Sequence, residues 1–241
     1  MSKTKLRIVQ DFVDFNNNKP EGIYLYVNKE NIFNNFALII GPTNTPYFGG
    51  YYFFEIKFPR DYPKNPPHIK LMTLHKDVRF NPNLYECGKV CLSILGTWAG
   101  PGWKKVMNIR SVLLSVRSLL NEFPIVNEPG FENIKHNDKE SIDYNHFLIY
   151  YNYKIAIIDI ISKLFSNEDN YIKYFKNEIR NEFSKNYKIL SDNLKSYQII
   201  LGEKVISKVI YFIRKEHHLD FIELNNIFNN SIKLFDLKYE V

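Results

Sequence analysis

The residue of this chain best suited to covalent chemistry is Cys91, in Gly88-Lys89-Val90-Cys91-Leu92-Ser93-Ile94-Leu95, eight positions after the Asn83 of Asn81-Pro82-Asn83. A thiol suits acyl transfer, because sulfur is strongly nucleophilic even when little of it is ionised, and its thioester stays reactive toward amines. Aminolysis of a thioester passes through a tetrahedral oxyanion. The side-chain amide of Asn83 is the nearby group that could stabilise that oxyanion or brace the loop that does. No histidine or carboxylate stands beside Cys91 in the manner of a thiol hydrolase, so an attacking amine would lose its proton through desolvation and positioning rather than to a strong base. By residue type alone, a cysteine among apolar neighbours is as well explained by a place in the core.

The second cysteine, Cys87, lies four positions earlier in Tyr85-Glu86-Cys87-Gly88 and reads as a bystander on an exposed turn. Cys87 and Cys91 with His68, His75, His136, His146, His217 and His218 do not make the spacing of a zinc site, and no metal or other cofactor is expected. Two cysteines so close together are not a secreted disulfide framework, and they suit a reducing compartment, the cytoplasm with the nucleus as a second location. The charged start, Met1 to Arg7, leads into no apolar run of signal-peptide length, and no segment has the ~18 apolar residues of a membrane span.

The elements that must position Cys91 are legible in outline. Leu6, Val9, Phe12 and Val13 recur at helical spacing until Asn16-Asn17-Asn18-Lys19-Pro20 stops them, which predicts a short first helix. Three β-rich runs follow, at about 23–27, 35–40 and 51–58, and a fourth, at about 68–72, comes after Pro66-Pro67. They predict an antiparallel meander. The connection Phe58-Pro59-Arg60-Asp61-Tyr62-Pro63-Lys64-Asn65-Pro66-Pro67 cannot continue a sheet and is expected on the surface. Asn108 can cap a helix whose inner face is Ile109, Val112, Leu113, Val116, Leu119 and Leu120.

Beyond Asn137-Asp138 the pattern is helical with no strand signal. One apolar stripe runs from Phe147 to Phe165, a second from Tyr171 to Phe183, a third from Leu190 to Leu201 ahead of Gly202, and a last from Leu219 to Phe235. The net charge of +6 belongs to the first part: residues 1–135 hold 17 Lys/Arg against 11 Asp/Glu, whereas 136–241 hold 15 of each. No basic run exceeds two residues and no nucleic-acid-binding signature is present, so an acidic protein is the expected partner of the basic face.

Taken in order, the motifs Gly41 to Gly50, Leu71-Met72-Thr73, Arg79-Phe80-Asn81-Pro82-Asn83, Leu95 to Trp103 and Asn127-Glu128-Pro129-Gly130-Phe131-Glu132 resemble the ubiquitin-conjugating enzymes, and within them the Z-type branch. The match covers about residues 5–135. Where most of the family has His-Pro-Asn this chain has Asn81-Pro82-Asn83, and where many members place an aspartate two residues after the cysteine it has Ser93; both are features of the Z-type branch, as is the extra Gly96–Pro101 segment before Trp103.

The resemblance implies an α+β ubiquitin-conjugating (UBC) fold, a four-stranded antiparallel meander packed against helices, with a catalytic domain over 1–165 and an all-helical extension over 166–241, packed on or beside it. It implies that Cys91 carries ubiquitin or a ubiquitin-like protein as a thioester, received from an activating enzyme and passed to a substrate lysine or a ligase. Asn83 would serve the oxyanion, with Ser93 and Glu128 at the positions of the acidic gate that tunes the incoming amine. The activating enzyme would dock on the first helix beside Lys3, Lys5 and Arg7, and a ligase on Tyr62, Pro63 and Lys64 together with Lys105 and Val106. Lys64 and Lys105 replace the apolar or proline residues frequent in the family. Variants that bind ubiquitin without chemistry typically lack the cysteine, so Cys91 in its motif favours the enzyme over that alternative.

Overall fold

The computed structural model describes residues 2–166, 171–207 and 209–239. Helix α1 (Lys3–Asn17) begins where the Ser2 side chain accepts from the Lys5 amide, and the Asn18 amide bonds the Asp14 carbonyl at its end. Its inner face is Ile8, Phe12 and Phe15, with Asp11 among them. That differs from the expected stripe: Leu6, Val9 and Val13 are 55%, 37% and 52% exposed. Two stripes compete on this helix, and the one carrying two phenylalanines removes more apolar surface from water.

Strands β1 (Ile23–Tyr26), β2 (Asn34–Ile40), β3 (Tyr51–Lys57) and β4 (His68–Leu71) form an antiparallel sheet in the order β1-β2-β3-β4, the expected meander. Register places Leu38 opposite Phe53 and Ile56 opposite Ile69. In a strand, alternate residues point to opposite faces, yet Ala37, Leu38 and Ile39 in β2 and Tyr51, Tyr52, Phe53 and Phe54 in β3 are all buried. Both faces of the sheet are therefore covered.

One face belongs to the continuous core with the inner residues of α1 and of α2 (Ile109–Ser118), which Asn108 caps by accepting from the Ser111 amide. The other is covered by the chain beyond residue 170. There a short 3₁₀ turn, Tyr171–Phe175, leads into α5 (Lys176–Leu201), which unites two of the expected stripes in one helix. Tyr174 stacks on Tyr26 at 3.8 Å between centroids, and Tyr171 and Phe175 pack on Phe53. The Tyr51 hydroxyl donates to the Ile179 carbonyl and Tyr24 to Glu182, so the same face is fastened at its edge.

Between the two parts runs one long helix of three pieces: α3 (Lys139–Tyr151), a π-helical segment (Asn152–Ile158) and α4 (Asp159–Leu164). The wider turn carries Asn152, whose side chain donates to the Phe48 carbonyl and accepts from the Tyr52 hydroxyl. Gly50 leaves room for it, since a Cβ there would stand 1.9 Å from the Asn152 Oδ1.

The extension is not all helical. β5 (Glu203–Ile206) and β6 (His217–Asp220) pair as an antiparallel ribbon before α6 (Phe221–Tyr239). Four-residue strands are too short for an alternation to stand out from flanking helical patterns, which is why the ribbon is missed from sequence. It is tied to α3: the Lys204 Nζ lies 2.7 Å from the Asp143 Oδ1 and 2.8 Å from the His146 Nδ1, and the Tyr151 hydroxyl lies 2.7 Å from the His217 Nδ1. Burial, joined by the Lys204 charge, pushes the His146 imidazole down to about 4. No described helix is long and apolar enough to cross a membrane.

Two outcomes follow. Phe175→Ala should cost about 3–5 kcal/mol in urea unfolding, since it opens a cavity against the second sheet face; a loss below about 1 kcal/mol would mean that the extension does not seal that face. Between about pH 6.5 and 4 the unfolded His146 binds a proton that the folded one refuses, so stability should fall as pH drops through this window. His146→Gln should flatten that slope in urea titrations at a series of pH values, and an unchanged slope would contradict it.

Candidate active site

Cys91 is positioned by backbone turns before any side chain acts. The Leu71 amide at the end of β4 bonds the Gly88 carbonyl at 2.8 Å, which draws the 85–90 segment alongside the sheet. Gly88 has φ +90°, and a Cβ on it would sit 2.6 Å from the Leu71 carbonyl oxygen, so glycine is required for this approach. Cys87 stands exposed on the same turn.

The next contacts fasten the cysteine at both ends of its own residue. Its amide donates to the Asn83 carbonyl at 2.9 Å, and the Asn83 side-chain amide donates to the Cys91 carbonyl at 2.9 Å. Asn83 is fixed in turn by Asn81, whose Oδ1 accepts from the Asn83 amide at 2.9 Å. The Asn81 Nδ2 donates to the Leu119 carbonyl at 2.8 Å and to the Tyr47 hydroxyl at 3.2 Å. Asn81 is fully buried, so the asparagine in place of the family's histidine is a bracket between the motif and the end of α2. Downstream, the Thr97 hydroxyl closes the loop, accepting from the Leu92 amide and donating to the Val90 carbonyl.

Cys91 itself is only 1% exposed, whereas an acyl acceptor is expected to be open to its donor. The conformation is closed over the thiol. Ser93 begins a 3₁₀ turn (Ser93–Leu95), partly buried beneath the Gly96–Pro101 loop: a Cβ on Gly100 would lie 3.1 Å from the Ser93 Cβ.

Beside the thiol stands a wall that sequence reasoning does not assemble. Tyr85 is close enough to Cys91 that, after burial, charge on the sulfur is among the influences raising the phenol's pKa. The Arg79 guanidinium lies 3.6 Å from the Tyr85 ring centroid and 4.4 Å from that of Phe212. Its Nη2 donates to the Pro82 carbonyl, next to Asn83, and its Nη1 bonds the Tyr211 hydroxyl at 3.2 Å. Glu128 is buried; burial raises its pKa, and Arg79 and Tyr211 act against that rise. Arg79 and Tyr85 flank the Asn-Pro-Asn motif and could have been singled out. Tyr211 and Phe212 lie more than 130 positions from Arg79's end of the site, and no periodic signal marks them.

The residues expected to dock partners divide. Lys3, Lys5, Lys64, Lys105 and Val106 are exposed, Val106 to 83%, and Pro63 is partly so. Tyr62 is not available: it is 1% exposed, its hydroxyl donates to Asp11, and Phe58 and Trp103 pack on its ring. Arg7 is an internal brace as well, bonding Asp11 at 2.7 Å and the carbonyls of Lys105 and Met107. A tyrosine next to proline on a loop reads as surface, but its large ring fills the gap between α1 and the loops. The Trp103 Nε1 donates to the Pro63 carbonyl at 2.8 Å, so the start of α1 and both docking loops form one connected face.

Residues 7–145 match the ubiquitin-conjugating enzyme family, and the chain belongs to it. It is 44% identical over 157 residues to ubiquitin-conjugating enzyme E2 Z of Danio rerio, a stretch that is 65% of this chain and 48% of that one, and 44% identical to the Homo sapiens protein of the same name, covering 65% and 44%. A probable ubiquitin-conjugating enzyme, E2 R521 of Acanthamoeba polyphaga mimivirus, is 39% identical over 67% of this chain and 11% of its own. The structure of human ubiquitin-conjugating enzyme E2 G1 aligns with a TM-score of 0.44 at 30% identity, over 49% of this chain and 94% of that one. The chain spans about half the length of the E2 Z relatives it matches.

The bracket role of Asn81 predicts that Asn81→Ala costs about 2–4 kcal/mol, since the Leu119 carbonyl, Tyr47 hydroxyl and Asn83 amide lose a buried partner together. Urea unfolding checks it, and a cost under 0.5 kcal/mol would show that the motif holds itself.

Proposed function

We propose that this chain is a working ubiquitin-conjugating enzyme that carries ubiquitin or a ubiquitin-like modifier on Cys91. The observation that carries the reading is the two-way hydrogen bonding of Cys91 with Asn83, because it sets one amide donor beside the carbonyl of the residue where acyl chemistry would occur. Family membership supports it. In the first step the Cys91 thiolate attacks the carbonyl carbon of the modifier held as a thioester on the activating enzyme; the new carbon–sulfur bond forms as the donor's thiolate leaves. In the second, a lysine amine of a substrate attacks the Cys91 thioester, an isopeptide bond forms, the Cys91 thiolate leaves, and the amine's extra proton passes to a base or to water.

Asn83 would help the second step by turning its amide from the Cys91 carbonyl to the developing oxyanion, an exchange between acceptors a short distance apart. Glu128 supplies a carboxylate whose proton affinity is raised by burial, which suits a group that steers or relieves an incoming ammonium. Ser93, without charge, would contribute only hydrogen bonding at the other gate position. No metal or organic cofactor is required by these steps.

The activating enzyme would meet the exposed Lys3 and Lys5 and the outward stripe Leu6, Val9 and Val13 of α1, a basic and apolar surface suited to an acidic partner. A ligase would engage the adjoining Val106, Lys105, Lys64 and Pro63. Residues 1–165 would act as the catalytic part and 166–241 as the extension that covers its sheet, and two free cysteines suit a protein of the cytoplasm or nucleus.

Incubation with activating enzyme, ATP and ubiquitin should give an adduct on a non-reducing gel that thiol reductant removes. It should be lost in Cys91→Ala and kept in Cys87→Ala. Asn83→Ala should charge but discharge to lysine at least tenfold more slowly. Equal loss of charging and discharge would assign Asn83 to folding alone. Failure of the wild type to charge with any activating enzyme and modifier tried would return the chain to the alternative, a binding module without chemistry.

A further inference from the structure

The connection between β5 and β6 belongs to the helical extension by sequence, yet Tyr211 and Phe212 within it reach the Cys91 neighbourhood. Neither lies in the residues matched to the family. The Arg79 guanidinium lies over two rings, Tyr85 at 3.6 Å and Phe212 at 4.4 Å from the ring centroids. A planar cation held by two aromatic rings has few rotamers left, and its donors are aimed accordingly. One is aimed at the Pro82 carbonyl, in the turn whose next residue, Asn83, grips Cys91 at both ends. Another meets the Tyr211 hydroxyl.

We propose that Tyr211 and Phe212 are positioning residues for acyl transfer: the extension's ribbon loop clamps Arg79 against Tyr85, and through Arg79 it sets the Asn-Pro-Asn turn that grips Cys91. The extension thereby completes the site rather than only covering the sheet. The inference deepens the function proposed above and rests on it for its kinetic consequences, while the clamp itself is a property of the fold.

Loosening the clamp has readable effects. Without Phe212 the guanidinium gains freedom, the turn holding Cys91 loosens, and the closed thiol opens more often. Without the Tyr211 hydroxyl, the Arg79 Nη1 loses the acceptor it bonds at 3.2 Å, and the same loosening follows to a smaller degree.

The test uses the full chain carrying Cys87→Ser, so that Cys91 is the sole thiol. Alkylation of Cys91 by iodoacetamide, followed by intact mass, needs no partner protein and should be at least threefold faster in Phe212→Ala and in the milder Phe212→Leu. Discharge of the charged protein to free lysine should be at least threefold slower in both. In Tyr211→Phe, which removes only the hydroxyl that Arg79 bonds, both rates should move in the same directions by a smaller factor. Ile199→Ala, at an exposed position of α5, is the control for effects of the extension at large. The proposal is overturned if Phe212→Leu alkylates and discharges as the wild type does, or if Tyr211→Phe alkylates at the wild-type rate. Should the wild type never charge, the function proposed above fails, and the alkylation rates still decide the clamp.

Discussion

Everything at the site depends on one reciprocal contact, the pair of hydrogen bonds by which Asn83 holds the amide and the carbonyl of Cys91. A reactive side chain in a loop is otherwise free to wander, and a displacement of about an ångström can cost two orders of magnitude in rate. Here the loop has no sheet ladder of its own beyond isolated bridges at Lys89 and Val90. Its order comes from polar side chains. Asn81 and Thr97 each satisfy more than one backbone group, and for the buried Asn81 any other arrangement leaves some of its partners unpaired.

The second constraint is the sheet. Strands β2 and β3 are apolar on both faces, so the meander needs a covering on each side, and the extension supplies one through Tyr171, Tyr174 and Phe175. Once a helix is committed to that face, the π-helical turn at Asn152, the ribbon pinned to Asp143 and His146, and the loop bearing Tyr211 and Phe212 all follow in fixed places. The same packing that seals the sheet thus delivers two aromatic side chains to Arg79.

Much of this was legible in the residues. The four strands stand out because aromatic and β-branched runs are cut by Asn, Gly and Pro, and the cap at Asn108 is where an asparagine before an apolar helical face belongs. Cys91 and Asn83 carry the motif on which the proposed chemistry rests. Other features were hidden for physical reasons. The inner face of α1 was misassigned because Leu6, Val9 and Val13 have the same period as Ile8, Phe12 and Phe15, and only packing chooses between them. Tyr62 and Arg7 looked like surface residues until Asp11 gave them a buried partner. The clamp on Arg79 joins residues that have no relation in sequence, and the closure over Cys91 is a property of packing that no spacing encodes.

The central claim is that the sulfur of Cys91, closed in this conformation, opens to take an acyl group. Intact mass spectrometry of the Cys87→Ser protein, after incubation with activating enzyme, ATP and modifier, tests it most directly, with proteolysis locating the adduct. The account requires a mass increase of one modifier less one water, mapped to the peptide containing Cys91 and released by hydroxylamine at neutral pH. An adduct that maps to a lysine instead, or a Cys91 peptide that stays unmodified while the protein is consumed in conjugation, would contradict it.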